Sequence, residues 1–183
     1  MSTHDIKNTI RYPYSFNEYV LRIIWPFIHC TIWKISWHRI YFIRMFLLRL
    51  IGAKVNLKSM AFGSTKILRP WDLEIGSYVT LGPRVNIYNL GGVKIGNNSI
   101  LSQDVYVCGG THDYTDSKLP LLRKKIIIGS DVWICAGAFI GPGVTVGDGA
   151  VIGARAVLLK DAEPWSVYGG NPARKLKPRK ILI

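Results

Sequence analysis

Acidic residues and cysteines are both scarce in this 183-residue chain. There are 24 Lys and Arg against 11 Asp and Glu, which gives a formal net charge of +13 at pH 7. Such a charge favours anionic partners, namely nucleic acid, a membrane surface or a phosphorylated metabolite, without choosing among them. The 3 cysteines form no CxxC pair and have no metal-ligand spacing. A disulfide framework is therefore not expected, and a reducing cytosol fits best.

Long apolar runs and cofactor motifs are also lacking. The longest apolar stretch, residues 23–33, ends at Lys34 and is followed by Arg39, Arg44 and Arg49, whereas a membrane span needs about 18–20 apolar residues with few charges. No small-residue cleavage site follows it, so no secretory signal is visible. There is no GxGxxG motif and no P-loop, and the histidines and cysteines are dispersed. We predict a cytoplasmic protein that needs no metal.

Glycine is absent from the first 51 residues and frequent afterwards, so its distribution divides the chain. Hydrophobic residues make up 49% and charged residues 19%, which excludes a disordered chain. We predict an N-terminal helical, aromatic and basic segment at 1–52 and a central domain at 53–170. A basic C-terminal tail follows at 171–183.

The central part repeats an aliphatic residue every six positions. The positions are Ile75, Leu81, Ile87, Ile95, Leu101, Val107, Ile128, Ile134, Ile140, Val146, Ile152 and Leu158. The next residue is often Gly, and the residue two positions earlier is small or β-branched. Strand residues two apart point the same way, and a missing Cβ permits a tight corner. The pattern predicts short strands wound into triangular coils that stack at about 4.8 Å, because a sandwich or an α/β sheet would show longer, irregular spacing.

The spacing of the aliphatic residues rises once to 21 residues, which predicts an extruded, functional loop at about 113–127. His112 stands immediately before this loop. Asn86 and Trp133 each precede an inward aliphatic residue, so we expect both to point outward. An outward Trp should pack against a neighbouring subunit or a ligand between subunits.

The chain resembles the hexapeptide-repeat acyltransferases in the runs IGSYVTLGPRVN, IGNNSILSQDVY and IGSDVWICAGAFIGPGVTVGDGAVIGARAVLLKD, and in a later GGNPARKL segment. The resemblance covers about residues 53–178. The N-terminal segment looks like that of the sugar O-acetyltransferases of colanic acid and exopolysaccharide biosynthesis, and this subgroup is the one the chain resembles most. The resemblance implies a mainly β fold, namely a left-handed parallel β-helix, together with a homotrimer and acetyl transfer from acetyl-CoA. The handedness rests on the resemblance alone, because general crossover preferences favour the opposite hand.

His112 is the candidate general base. Transfer of an acetyl group to a hydroxyl needs a base for the alcohol proton, and histidine, with a reference pKa of about 6.5, suits this role. The resemblance implies this role for a histidine before an extruded loop, and it places Asn86 near the acceptor sugar and the developing oxyanion. Asp113 and Asp104 are candidates for orienting His112 by proximity only. The alternative is a surface histidine without a function, and the other three histidines receive no role.

For the acetyl-CoA donor, the resemblance implies a path along the flank of the coil, with basic residues at the phosphates. The candidate donor-binding residues are Trp133, Ala136, Ala154, Lys160 and Arg174. Lys177 and Arg179 are two further cations within reach. Their alternative interpretation is a solvated basic tail.

Residues 16–50 suit two different surroundings. Cations at 34, 39, 44 and 49 advance by about 140° per step on a helix, so they wind around it and do not form one polar face. Aromatic residues with interspersed Arg suit an interface with anionic lipid. They equally suit a helix packed on the trimer, and peripheral membrane contact is therefore one of two expectations.

The leading functional hypothesis is an O-acetyltransferase that uses acetyl-CoA and a small-molecule or lipid-linked sugar of a polysaccharide precursor. One alternative keeps the fold but acetylates the nitrogen of an amino-sugar nucleotide. Another is a β-helix binding module without catalytic activity. Nucleic-acid binding is suggested only by the net charge, and no recognition motif supports it, so we predict no nucleic-acid partner.

Overall fold

The computed structural model describes residues 15–34 and 41–181. Predictions that fall on residues 1–14, on 35–40 and on the last two residues lie outside the described part of the chain. The N-terminal segment at 1–52 is therefore described only in part.

Helix α1 (Phe16–Ile28) opens the described chain, and helix α2 (Tyr41–Leu50) follows it. The Ser15 side chain caps the start of α1 by accepting a hydrogen bond from the third helical residue at 3.3 Å, as N-cap serines do. Pro26 lies inside α1 and cannot donate a helical hydrogen bond. The helix widens after it into a π-helical turn at His29–Trp33.

Fifteen short strands of the described chain form five coils of three strands each. The coils are, in order, β1 (Lys54–Val55), β2 (Met60–Ala61) and β3 (Lys66–Ile67); β4 (Leu73–Ile75), β5 (Thr80–Leu81) and β6 (Asn86–Tyr88); β7 (Val93–Ile95), β8 (Ile100–Leu101) and β9 (Tyr106–Cys108); β12 (Ile126–Ile128), β13 (Trp133–Ile134) and β14 (Phe139–Ile140); β15 (Thr145–Val146), β16 (Val151–Ile152) and β17 (Val157–Leu158). Successive coils pair in parallel, and the predicted β-helix is confirmed. Its handedness stays a prediction from the resemblance.

The pairing produces three sheets within the described chain, which we number by the strand that begins each. The first sheet has the order β1-β4-β7-β12-β15, the second contains β2-β5-β8-β13-β16, and the third contains β3-β6-β9-β14-β17. All twelve residues of the predicted aliphatic series are buried, with exposures of 0–4%. Burial of one such side chain stabilises the fold by about 1.5–3 kcal/mol, so the interior of the coil is the hydrophobic core.

The post-aliphatic glycines have a different role from the corner residues. A Cβ at Gly82 would lie 2.9 Å from the Leu101 carbonyl oxygen of the next coil. The left-handed backbone comes two residues later, at Arg84 (φ 57°) and in the next coil at Asp104 (φ 61°). Glycine at position 82 is therefore needed because two coils approach closely there. The left-handed turn position itself is filled by non-glycine residues at some corners and by Gly137, Gly143 and Gly149 at others.

The extruded segment predicted at about 113–127 is an antiparallel hairpin that spans 109–125. Strand β10 (Gly110–His112) pairs with β11 (Leu121–Arg123). The limits of the prediction need correction at both ends. His112 lies within the hairpin, and Ile126 is fully buried because it opens the first strand of the fourth coil.

The segment predicted as a basic tail, 171–183, begins with regular structure. Strand β18 (Ser166–Gly170) pairs in parallel with β16, and β19 (Ala173–Pro178) folds back antiparallel on β18. Both strands extend the second sheet. The division of the chain into three parts remains a prediction.

The N-terminal helices pack on the first coil of their own chain. Met45 and Leu48 of α2 are fully buried and join the core of the coil. Three side chains from this segment also donate hydrogen bonds to carbonyl oxygens of the first coil. These bonds run from Arg49 Nε to Val55 O (2.7 Å), from Arg44 Nη1 to Ala61 O (3.0 Å) and from Trp25 Nε1 to Ile67 O (2.7 Å). Each of the three sheets receives one of these bonds.

Across residues 15–34 and 41–181, no helix combines the length and the apolar character that crossing a bilayer requires.

Candidate active site

His112 lies at the end of β10, opposite Leu121 in the hairpin, and its side chain is exposed. Its Nδ1 atom is 2.6 Å from the carbonyl oxygen of Leu119. A carbonyl oxygen only accepts hydrogen bonds, so Nδ1 carries the proton and donates it. In the neutral form of the ring the lone pair then lies on Nε2, which is the atom that can accept a proton from a substrate.

A turn in the hairpin presents this carbonyl group. Leu119 has a left-handed backbone (φ 47°), and its N–H donates to Asp116 O at 2.9 Å. The N–H of Asp113 donates to Pro120 O at 3.0 Å, which closes the hairpin around the turn. The backbone of the hairpin thus holds the acceptor that sets the tautomer of His112.

Asp113 and Asp104, the two candidates by proximity for orienting His112, have other partners. Asp113 accepts hydrogen bonds from Thr115, from Oγ1 at 2.6 Å and from N at 3.0 Å, and these bonds lower the pKa of the Asp113 carboxyl. Asp104 forms a bidentate ion pair with Arg84, with distances of 2.6 and 2.7 Å. The Arg84 hydrogen bond lowers the pKa of the Asp104 carboxyl.

Asn86 lies on the outer face of the third sheet, in register with Tyr106 of the next coil. The Tyr106 ring stacks on Phe139 on one side (5.7 Å between centroids) and on Tyr88 on the other (6.5 Å). Burial raises the pKa of the Tyr106 hydroxyl. An aromatic surface that runs over three coils therefore borders the Asn86 amide, which points outward as predicted.

The hairpin packs against this surface. A Cβ at Gly110 would lie 3.1 Å from Cε1 of Tyr88 and 2.7 Å from Cδ1 of Leu90. Gly110 and His112 are two residues apart in β10 and share one face of the strand. The face that carries His112 is therefore the face turned toward Tyr88, two residues beyond Asn86. The strand face that carries His112 thus borders the aromatic surface next to Asn86.

The candidate donor-binding residues of the flank lie on another corner. Ala136 and Ala154 occupy equivalent turns of the fourth and fifth coils, and Ala136 O accepts a hydrogen bond from Arg155 N at 2.9 Å. Trp133 is 46% exposed on the outer face of the second sheet. Its Nε1 donates to Ser102 Oγ at 3.0 Å. Within one chain, Trp133 and Asn86 face outward from different sheets.

The two candidate cations for the donor phosphates lie in different elements. Lys160 is exposed just after β17, and Arg174 is exposed in β19, opposite Gly169. The Arg174 guanidinium donates from Nη1 to the carbonyl of Ala173 at 3.2 Å. The grouping of Lys160 and Arg174 with the flank alanines stays a prediction.

Arg179 was expected as a further free cation, and this expectation needs correction. Its Nη1 donates to Asp131 O at 2.7 Å and to Gly149 O at 2.9 Å. The guanidinium also lies over the Trp165 ring, 5.7 Å from its centroid. Arg179 therefore attaches the segment after β19 to the turns between the first and second sheets.

Comparison with known proteins supplies the family. Residues 125–160 match the family described as bacterial transferase hexapeptide (six repeats). WcaF of Escherichia coli (strain K12), to which a role as a colanic acid biosynthesis acetyltransferase is assigned, is 39% identical over 156 residues. That match covers 85% of this chain and 86% of WcaF. The chain belongs to the hexapeptide-repeat transferase family.

Solved structures agree with this assignment. A maltose O-acetyltransferase from Clostridium difficile 630 is 25% identical to this hexapeptide-repeat transferase, covers 92% of both chains and has a TM-score of 0.79. A hexapeptide-repeat acetyltransferase from Vibrio cholerae O1 biovar eltor, solved with acetyl coenzyme A, shares the fold with a TM-score of 0.82, at 23% identity over 96% of both chains. The protein is an acetyltransferase of the hexapeptide-repeat family, related to WcaF and to the maltose O-acetyltransferase.

Proposed function

We propose that this acetyltransferase moves an acetyl group from acetyl-CoA to a hydroxyl of a sugar in a polysaccharide precursor, in the cytoplasm. The observation that carries the proposal is the hydrogen bond from His112 Nδ1 to Leu119 O, because it leaves Nε2 as the basic atom. The role assigned to WcaF and the acetyl coenzyme A bound to the Vibrio cholerae protein support the choice of acceptor and donor.

His112 acts as the general base. Its Nε2 takes the proton of the acceptor hydroxyl while the oxygen attacks the thioester carbonyl carbon. A carbon–oxygen bond forms, the carbon–sulfur bond breaks, and the proton passes from Nε2 to the departing thiolate. The Leu119 carbonyl holds the ring in one tautomer throughout, and general base catalysis of this kind contributes about 10²–10⁴-fold in rate.

Asn86 serves the same reaction from the third sheet. Among the described residues its side-chain amide has no hydrogen-bonding partner, so its N–H groups are available to a ligand. An amide donor can stabilise the negative charge that develops on the carbonyl oxygen, or it can hold the acceptor hydroxyl.

The donor site is proposed to form between two copies of the chain in a homotrimer. Trp133 and Ile100 are 46% and 45% exposed on neighbouring strands of the second sheet, and this apolar face suits a neighbouring copy. Association would bring the second sheet of one chain toward the third sheet of the next. The donor would then run past Trp133, Ala136 and Ala154, and the cations Lys160 and Arg174 would meet its phosphates.

Release of the coenzyme A thiol tests the reaction, with neutral sugars and amino-sugar nucleotides offered as acceptors. His112→Ala should lower kcat by about 10²–10⁴-fold, and Lys118→Ala, an exposed change in the same hairpin, should leave it unchanged. Removal of the product's acetyl group by mild alkali identifies an ester. An alkali-stable product formed only from amino sugars would overturn O-acetylation, and full activity of His112→Ala would overturn the assignment of the base.

Peripheral contact of residues 16–50 with an anionic bilayer is a further part of the proposal. The outer face of α1 exposes Phe16, Tyr19, Ile23 and Phe27, each by 52–81%. The sole carboxylate between Phe16 and Lys34, Glu18, faces the coil and pairs with Arg69 at 2.9 Å. The outer face is therefore apolar and free of negative charge on a protein with a net charge of +13, which suits anionic lipid.

Flotation with vesicles tests this contact. The protein should float with vesicles that contain phosphatidylglycerol, float less with pure phosphatidylcholine, and lose binding in Ile23→Asp. Binding that is absent from both vesicle types would overturn the contact. If Ile23→Asp sediments with the same oligomeric state as the wild-type protein, a defect in assembly does not cause its loss of vesicle binding.

A further inference from the structure

A cavity of about 460 Å³ lies between the N-terminal helical segment and the third sheet. Trp25 and Pro26 line it from α1, and Ile67, Leu68 and Tyr88 line it from the coil. Its volume falls within the range of about 300–1,000 Å³ that is typical of small-molecule sites. A monosaccharide with one substituent fits this space, and the aromatic walls suit the face of a sugar ring.

The charged groups of the cavity are all of one sign. Lys34 contributes from the end of the π-helical turn and Lys66 from β3. No aspartate or glutamate lines the cavity, and neither lysine pairs with a carboxylate within residues 15–34 and 41–181. Two lysines without a carboxylate partner favour an anionic ligand.

His29 lines the same cavity as the two lysines. Its Nε2 donates to Thr65 O at 2.9 Å, and its ring stacks on Trp33, 5.7 Å between centroids. Burial lowers the pKa of His29, and the charges of Lys34 and Lys66 lower it further. Both lysines therefore act on the same imidazole, and they line the cavity from two different elements.

The cavity is continuous with the proposed catalytic corner. Asn86 and Tyr88 line its wall, and Tyr88 also meets the face of the hairpin strand that carries His112, through the close approach at Gly110. A ligand held between the lysines therefore extends along the third sheet toward Asn86.

We propose that this cavity is the acceptor subsite and that Lys34 and Lys66 bind an anionic group, a phosphate or a carboxylate, carried by the acceptor sugar. The inference rests on the proposed function, because it takes the ligand of the cavity to be the acceptor. Trp25 and Tyr88 pack against the sugar, and Asn86 marks the end nearest the reacting hydroxyl. Selectivity for a charged sugar over a neutral one follows from the two cations.

Calorimetric titration without acetyl-CoA tests the site, with glucose 1-phosphate, glucuronate and glucose as probes at one ionic strength. We expect at least one anionic sugar to bind more tightly than glucose, and the stronger of the two identifies the group. Lys34→Ala and Lys66→Ala should each weaken that binding about tenfold, the lower end for a hydrogen bond to a charged group. Lys66→Arg should retain it, and Lys94→Ala, on the outer face of the first sheet, is the matched control.

Equal affinity for the three probes would overturn the proposal, as would a loss in Lys94→Ala as large as in Lys66→Ala. Binding to His112→Ala separates the two proposals, because the anion site does not need the base. Anion binding that persists in a protein without acetyl transfer to any acceptor would refute the proposed function and leave the anion site standing. Both lysines are exposed, so circular dichroism should show unchanged folding in each variant.

Discussion

The contact between the hairpin and the third sheet predicts that a single added methyl group should impair catalysis. In Gly110→Ala the new Cβ would lie 2.7 Å from Cδ1 of Leu90 and 3.1 Å from Cε1 of Tyr88. Carbon atoms in contact prefer about 3.5–4.0 Å, so either the two side chains or the strand must give way. Leu90 is buried, and we therefore expect the strand to move outward, by up to about 1 Å. His112 lies two residues along the same strand and moves with it.

A misplacement of about 1 Å can lower a rate by about 100-fold, and this is the loss we expect in kcat of Gly110→Ala. The Michaelis constant for acetyl-CoA should change little, because the proposed donor residues lie on another corner of the coil. Steady-state kinetics with saturating acceptor measures both constants. Thermal unfolding should show a small effect, since the hairpin lies outside the buried core.

A second substitution tests the reasoning directly. Leu90→Val removes the Cδ atoms that the added methyl group would meet, so the double variant should recover part of the activity lost in Gly110→Ala. A double-mutant cycle separates this recovery from the effect of Leu90→Val alone. The reasoning is refuted if Gly110→Ala has the wild-type kcat, or if the two substitutions act independently.

Three further predictions follow from contacts at other places. Asp113→Asn should retain kcat within a few-fold, because a backbone carbonyl orients His112; a loss near that of His112→Ala would return the role to this carboxylate. Arg179→Ala should lower the free energy of unfolding by about 1 kcal/mol, or about 2–4 °C in melting temperature, and calorimetry should show unchanged acetyl-CoA affinity. The pKa of His29 is lowered from 6.5 in the folded chain, so the unfolded chain binds this proton at a higher pH than the folded chain does. The free energy of unfolding should therefore fall as the pH drops below about 6.5. His29→Asn should lose that part of the pH dependence in denaturant titrations at pH 5.5 and 7.5, and an identical dependence in both proteins would contradict it.

The interior of the coil was predictable because burial imposes a period on side chains. The predicted domain began at residue 53, but the aliphatic series left out Val55, Ala61 and Ile67, which have the same six-residue spacing and are buried. An eight-residue step, which includes a 3-10 turn at Pro70–Asp72, separates this coil from the next, as an equal step separates Ile87 from Ile95. The inward position of Ile126 was also predictable, because Ile126 lies two residues before Ile128 and residues two apart on a strand point the same way.

The site was less predictable, since parts of it are made by the backbone and by tertiary packing. Any residue at position 119 offers a carbonyl oxygen, so no side chain marks the group that orients His112. The sequence therefore favoured the nearby carboxylates Asp113 and Asp104, which the structure pairs elsewhere. His29 received no role because nothing in the chain order brings it to Lys66, 37 residues away, and the fold of the N-terminal segment creates that proximity.

The three side-chain hydrogen bonds to the first coil have a consequence for the solution behaviour of the protein. A stack of coils ends in open strand edges that could template another molecule, and proteins block such edges to avoid fibre growth. Here Arg49, Arg44 and Trp25 each occupy a carbonyl acceptor at the terminal edge of one sheet, while α2 covers the apolar interior. The N-terminal segment therefore blocks end-to-end polymerisation of the coils. A variant truncated to start at residue 53 would expose these strand edges to other molecules.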